Sequence, residues 1–322
     1  MQRRHLLALA AATTLLAPAT LVHAQGDRTI RVLVGFPPGG SLDTVARLLA
    51  EKMKDELKAN LIVENKPGAG GRVAADMLKS APADGSTIMI APVVVPVLAP
   101  LVFSKLNYNP ATDFAPVGHV ASFSFALTVP TALPVKTVAE FVSWVKANPD
   151  KANFGSPAPG SLPHFFGEII SRDTQTGLVH VPFSGGAPLM NALLGNQVSA
   201  GIDVTLEALE NHRAGKVRVI ATSGEQRSAM LPDVPTFKEQ GYPGIVAAGW
   251  FAMYAPARTP VALITAYNRA LNKALAQPEV LERFAKFALE PGGGSAADLT
   301  RLEQASTARW APVVKSTGFR GD

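Results

Sequence analysis

Ser161 and His164 stand three residues apart where a helical pattern begins, and Asp203 ends a short apolar run further on. A hydroxyl and an imidazole one helical turn apart face the same way. With an acid they have the makings of a nucleophile, a base and its orienter, the parts of a hydrolase. The surroundings do not complete such a centre. The chain has no Gly-x-Ser-x-Gly elbow, no Gly-x-x-x-x-Gly-Lys-Ser/Thr phosphate loop and no His-Glu-x-x-His pair. Gly68-Ala69-Gly70-Gly71 is followed by Arg72 and Val73, so it lacks the third glycine of a dinucleotide fingerprint. His119, His164, His180 and His212 are not at metal-ligand spacing. Cysteine is absent, which excludes disulfides, thiolate catalysis and thiolate metal ligation together. The expectation is a non-catalytic protein with no metal and no cofactor.

A different chemistry is available to the Gly-rich corners. Gly35-Phe36-Pro37-Pro38-Gly39-Gly40-Ser41 follows the apolar run Ile30 to Val34 and precedes Leu42, Val45, Leu48, Leu49, Met53 and Leu57, which are spaced as a helix face. A strand, a tight corner and a helix start aim unpaired backbone N–H groups at one point, where the helix dipole is positive and an anion is favoured. The alternative is a βα turn whose glycines only let the chain bend. Asp43, in the first turn, is a favourable charge at a helix N-terminus or, in an anion site, a selector that accepts a ligand amine or hydroxyl. Asp203 at a strand end needs partners if buried, and a ligand donor or an ordered water could be one.

The elements that must position these residues alternate. Leu61 to Asn65 and Thr87 to Ala91 read as strands and Ala74 to Leu78 as helix, so the first unit is β-α-β-α-β with short links, the pattern of a parallel α/β sheet. Open sheets of that class bind ligands at the carboxyl ends of their strands. A second unit begins at the capping box Thr137-x-x-Glu140. It continues with strands at Ala152 to Gly155, Val179 to Phe183, Val198 to Val204 and Val217 to Thr222. Its loops are Ser156 to Ser161 and Ser184-Gly185-Gly186, the latter ahead of a helix with Pro188 in its first turn. Two long apolar runs, Val117 to Val129 and Ala247 to Ala255, join the units as paired hinge strands, and helices after Pro260 and Ser295 finish the chain. Trp250, on the second run, is a packing residue or a surface for a ligand to stack on.

Arg3-Arg4, the apolar stretch Leu6 to Leu16 and Val22-His23-Ala24 together read as a secretory signal peptide, residues 1–24, cleaved after Ala24. Arg3-Arg4 also leaves a twin-arginine export route open. The 298 residues beyond it carry a net charge of +3. The charges are scattered. The densest group, Lys52 to Lys58, is interleaved with Glu51, Asp55 and Glu56 as on a solvated helix face, so no nucleic-acid partner is expected.

Several stretches together resemble one family. They are Phe36-Pro37-Pro38-Gly39-Gly40 with Asp43 and Ala46-Arg47, Glu64 to Gly71, and Ala83-Asp84-Gly85. Further along come Thr112 to Val117, His180-Val181-Pro182-Phe183 with Gly185-Gly186, Leu231 to Thr236, and Trp250-Phe251 with Ala255-Pro256. In order and spacing these are similar to the substrate-binding proteins of tripartite tricarboxylate transporters, the Bug-type periplasmic receptors.

The resemblance implies an α/β, two-lobed periplasmic binding protein, type II and flytrap-like, with two hinge strands and a ligand cleft between the lobes. Lobe 1 would comprise residues 27–125 and 248–322, and lobe 2 residues 126–247. The implied function is capture of a small organic carboxylate by a monomeric receptor and its delivery to a two-subunit membrane permease. The same fold serving a signalling partner, or a hydrolase using Ser161, His164 and Asp203, are the other readings.

Carried over to matching positions, the ligand residues are Phe36, Pro38, Gly39, Gly40, Ser41 and Asp43 of the first loop and Asn65 after the second strand. In the second lobe they are Ser156, Gly160, Ser161, His164, Ser184, Gly185, Gly186, Ala187 and Asp203. The chain departs from the family at Ala158, Pro159 and Phe183, where a glycine, a non-proline and a tyrosine are usual. Pro159 removes a backbone donor and Phe183 a hydroxyl, which tilts the expected ligand toward a more apolar or aromatic acid.

Overall fold

The computed structural model describes residues 28–321; the signal peptide expected from the sequence lies outside them. In chain order the strands are β1 (Arg28–Val34), β2 (Ala59–Asn65), β3 (Thr87–Pro92), β4 (Phe114–Phe123), β5 (Phe125–Pro130) and β6 (Asn153–Ser156). They continue with β7 (Val179–Pro182), β8 (Gly201–Val204), β9 (Val217–Thr222), β10 (Gly249–Pro256) and β11 (Leu289–Gly293). They form two sheets, ordered β11-β4-β10-β3-β1-β2 and β7-β6-β8-β5-β9, one for each lobe.

The β-α-β-α-β start of the chain makes parallel pairs, β1 with both β2 and β3. Each sheet as a whole is mixed. β10 runs antiparallel to β3 and β4, and β5 runs antiparallel to β8 and β9. The reason is the hinge: a chain that passes straight from one sheet into the other and later returns supplies strands that no crossover helix has turned round. β4 and β5 are one extended run interrupted at Ser124, and the return enters β10 after Ala247. One hydroxyl ties the two crossings together. Ser223 Oγ accepts the Phe125 N–H at 2.9 Å and donates to Ala247 O at 2.6 Å.

β11 escapes pattern reading because Pro291, Gly292 and Gly293 are poor strand formers; it sits at a sheet edge, antiparallel to β4, where such residues are tolerated. The strand expected from Val198 is shorter than the apolar run, and ladder pairing begins at Gly201.

Helix Ser41–Leu57 buries Leu42, Val45, Leu48, Leu49 and Met53, the residues whose spacing marks its apolar face. Thr137 caps helix Val138–Ala147 by accepting the Glu140 N–H, as the capping box requires. In the second lobe, helices Leu162–Thr174, Gly186–Leu194 and Thr205–Arg213 follow β6, β7 and β8, so their N-termini lie at the carboxyl ends of those strands. The C-terminal helix Ala296–Thr317 returns to the hinge. There Trp250 Nε1 donates to Ser306 Oγ at 3.0 Å, and Trp310 packs 6.1 Å from Phe166.

Candidate ligand-binding site

The carboxyl ends of β1, β3, β6 and β8 converge on a cavity with about 70 Å³ of room for the centres of water molecules, enough for several. Its first-lobe wall is Phe36, Pro37, Gly40, Ser41, Leu42 and Asp43 with Pro92, Val93 and Val94; its second-lobe wall is Pro157, Ala158, Ser161, Leu162, Pro163, Gly186, Asp203, Val204 and Glu207. Phe123, Phe125 and Phe251 close it at the hinge, Phe123 lying 4.4 Å from Phe251 and 5.4 Å from Phe125 between ring centres. Successive strand residues point to opposite faces, so Phe251 reaches the cavity while Trp250 is buried under the C-terminal helix.

Close approaches join the lobes around this space. A methyl group at Gly185 would lie 2.7 Å from Pro37, and one at Gly160 2.8 Å from Val102. Gly160 has φ +71°, so glycine is suited there on both counts.

The first loop is held from below. The Asp43 carboxylate accepts the Gly39 N–H at 3.0 Å, Arg47 Nε at 2.9 Å and Asn65 Nδ2 at 2.9 Å, and Asn65 also donates to Phe36 O. Burial works against ionisation of Asp43, but the bonds from Arg47, Gly39 and Asn65 outweigh it and hold its pKa below the usual carboxylate value. Its oxygens are thus occupied within the first lobe. Asn65 braces the loop and, like Pro38 and Gly39, is not part of the cavity wall.

The second-lobe loop has its own support. Ser161 Oγ donates to Ala158 O at 2.6 Å, Ser156 Oγ lies 2.7 Å from His180 Nε2, and His164 Nδ1 accepts the Gly160 N–H at 3.0 Å. His164 stacks on His180 at 4.0 Å and meets Phe319 edge-on at 4.5 Å, away from the cavity. Burial, with the nearby His164, pushes the His180 pKa down to about 4.

Ser161, His164 and Asp203 are therefore not linked as nucleophile, base and orienter. The serine hydroxyl is committed to a carbonyl and the imidazole nitrogen to an amide. Gly186 borders the cavity, whereas Ser184, Gly185, Ala187, Ser156, Gly160 and His164 are not part of its wall. Pro159 does not line it either, and Phe183 packs on Gly155 and Leu189 instead of reaching the rim.

Asp203 and Glu207 bring two acids to one side of the cavity. Asp203 Oδ1 accepts the Val204 N–H at 2.7 Å, while Oδ2 is shut off from solvent with no hydrogen-bond partner. Glu207 reaches across to the first lobe and accepts the Ser41 N–H at 2.6 Å. Burial raises both pKa values above the usual carboxylate range, and the Glu207 charge adds to the rise at Asp203. Among the described residues, no lysine, arginine or histidine lines the cavity. Glu207 and the three phenylalanines are among the cavity residues that reading the sequence missed, as are Pro92, Val93, Val94 and Leu162. The signals were an acid one helical turn beyond Asp203, and Phe123 and Phe125 on one face of a hinge run.

Residues 45–319 match the family model described as the tripartite tricarboxylate transporter family receptor. Three solved structures superpose closely. Rpa4515 of R. palustris, determined with adipate, is 32% identical with a TM-score of 0.88, covering 92% of this chain and 99% of that one. The periplasmic binding protein BugD is 31% identical with a TM-score of 0.87, covering 91% and 98%. MatC from Rhodopseudomonas palustris, with bound malate, is 32% identical with a TM-score of 0.84, covering 89% and 99%. Fold and sequence agree, and the chain belongs to the tripartite tricarboxylate transporter receptor family of solute-binding proteins.

Proposed function

We propose that the protein is a periplasmic receptor that captures a small organic carboxylate and hands it to a two-subunit membrane permease. One observation carries this reading: the N-terminus of helix Ser41–Leu57 opens into the cavity and already holds a carboxylate, that of Glu207, on the Ser41 N–H. A ligand carboxylate fits the same donors, and backbone N–H groups at helix starts hold such a group without a buried lysine or arginine. A charge-assisted hydrogen bond contributes about 1.5–3 kcal/mol. Several reach the roughly −8 kcal/mol of micromolar binding after the cost of association. Adipate in one relative and malate in another support the ligand class.

In this reading the lobes part between residues 125 and 126 and again between 247 and 248, and the first wall of the site is Phe36, Gly40 and Ser41. Ser161, Gly186 and Asp203 form the opposing wall. Asp43, Asn65, Pro38 and Gly39 shape the first loop. Ser156, Gly160, His164, Ser184, Gly185 and Ala187 shape the second wall. The aromatic floor favours acids with an apolar or aromatic body.

The test is a thermal-shift screen of mono-, di- and tricarboxylates and aromatic acids on protein stripped of retained ligand. A compound bound only to the folded state must raise the melting temperature. Unchanged melting across the panel counts against the proposal, and turnover of a bound compound would point to an enzyme instead.

A further inference from the structure

Helix Ala296–Thr317 is fixed to the first lobe by directional bonds and meets the second largely through rings. On the first side, the buried Trp250 and Tyr254 of β10 donate to Ser306 Oγ and, at 2.5 Å, to Glu303 Oε1. On the second side, Trp310 packs against Phe166, and Arg309 donates to Val246 O beside the return crossing of the hinge. Beyond the helix, Gly318 with φ +68° turns the backbone. Phe319 then stands edge-on to His164 at 4.5 Å and 6.2 Å from Phe165, both on helix Leu162–Thr174 of the second lobe. Two residues later the chain is back on the first lobe. The Gly321 N–H donates to Val102 O at 3.2 Å, and a methyl group at Gly321 would lie 2.1 Å from the Phe103 ring.

Parting of the lobes would act unequally on these contacts. Arg309 and Trp310 meet the second lobe beside Val246, at the pivot, where a rotation moves atoms little. Thr317 ends the helix about 10 Å beyond Trp310, at about 1.5 Å per residue. Phe319 is therefore on the longer arm and must leave His164 when the lobes separate. The lobes meet at the same seam through Gly160, whose N–H His164 accepts and whose added methyl group would lie 2.8 Å from Val102. The half-buried Phe319 ring makes its contact without a hydrogen bond, so it can lift and reseat without leaving a buried polar group unpaired.

We propose that residues 318–321 form a releasable strap that holds the lobes together in the ligand-free protein, with the Phe319 ring as its catch on the second lobe. The proposal takes the lobe boundaries of the proposed receptor and adds a control on their closure. Apolar area covered at Phe319 exists only in the closed form and shifts the equilibrium toward it. Closing over a ligand is then easier, and release requires the ring to lift.

The experiment is a distance measurement by pulsed electron spin resonance on ligand-free protein. The chain has no cysteine, so Lys54→Cys and Glu210→Cys, both exposed and on helices of opposite lobes, take nitroxide labels uniquely. A single short distance is expected to dominate in the parent. Phe319→Ala and deletion of residues 318–322 are expected to raise the ratio of long to short distances about tenfold, as for a lost apolar contact. Phe319→Leu, which keeps an apolar anchor, is expected to raise it less than about threefold. A cooperative melt confirms folding of each variant, and the Phe319 pair decides alone where the deletion does not fold.

A parent already at the long distance, or variants with the parent's distribution, overturns the strap and leaves the receptor reading standing. Equal opening by Phe319→Ala and Phe319→Leu also overturns it, because apolar contact would not be the catch. Opening by Phe319→Ala alone, in a protein that binds none of the carboxylates, supports the strap and removes only the receptor reading.

Discussion

The Ser41 N–H of the first lobe donates to the Glu207 carboxylate of the second at 2.6 Å, across 166 residues of chain. The helix start that can hold a ligand anion therefore holds one of the protein's own. In the proposed reading, binding of a carboxylate at Ser41 would be an exchange, in which the incoming group displaces Glu207 and frees it to move.

Removing the resident carboxylate removes a competitor. Glu207→Ala is expected to raise affinity for a plain monocarboxylate up to about tenfold, the worth of part of one charge-assisted hydrogen bond. The link between the lobes weakens at the same time. Calorimetry reads the affinity, and small-angle scattering of the ligand-free protein should show a larger radius of gyration. Unchanged affinity and radius would mean that the Ser41–Glu207 bond has no part in binding or closure.

Asp203 sets a pH dependence with a definite sign. Its folded pKa is raised by burial and by Glu207, so its contribution to stability is full below its unfolded pKa. That contribution is lost as pH rises through the folded value. Asp203→Asn, which cannot ionise, is expected to melt about 2–4 °C above the parent at pH 7.5, on a scale of roughly 2 °C per kcal/mol for a chain of this size. The gain should vanish by pH 4. A gain that persists at low pH would place its origin elsewhere than ionisation.

His180 acts in the opposite direction. Its folded pKa is down to about 4, so folding excludes a proton that the unfolded chain takes up near pH 6.5. Stability is present above the unfolded pKa and is lost as pH falls toward 4, by roughly 1–2 kcal/mol once solvent screening of the part-exposed ring is allowed for. Denaturant melts of the parent and His180→Gln at pH 7.5 and 4.5 measure it. The parent should lose more on acidification than the variant, and equal losses would refute the assignment to His180.

Asn65 tests whether the first loop needs its brace. Asn65→Ala removes donors to Phe36 O and to Asp43 and is expected to cost about 1–2 kcal/mol of stability. Affinity for a bound carboxylate should fall severalfold although Asn65 does not line the cavity. Hydrogen exchange should rise at Phe36 to Ser41, and a variant with normal affinity would show that the loop holds its shape unaided.

Gly40 tests contact with the cavity itself. A methyl group there would lie 3.2 Å from Glu207 Oε1, so Gly40→Val crowds the Ser41–Glu207 junction with little strain on its own backbone. A more than tenfold loss of affinity with a retained fold is expected. Normal binding would remove Gly40 from the ligand site.

Much of this protein was legible as sequence because the signals are local. Apolar spacing marked helix Ser41–Leu57, the capping box marked helix Val138–Ala147, and Phe36 to Ser41 announced a helix start with unpaired N–H groups. Each depends on residues within a turn or two of one another. The two long apolar runs joining two α/β units pointed to the two-lobed arrangement, and the family motifs added the expected ligand class.

The tertiary structure decided what those groups face. Asp43 reads equally as a ligand selector until Arg47 and Asn65 are seen to occupy it, and His164 reads as a cleft residue until its ring is found against His180 and Phe319. Glu207 has no motif. It meets Ser41 only because the chain crosses at Ser124, builds β5 through β8 and brings the next helix back against the first lobe. Periodicity reports which face of an element is apolar, whereas the partner of a polar group at its end is set by contacts many residues away.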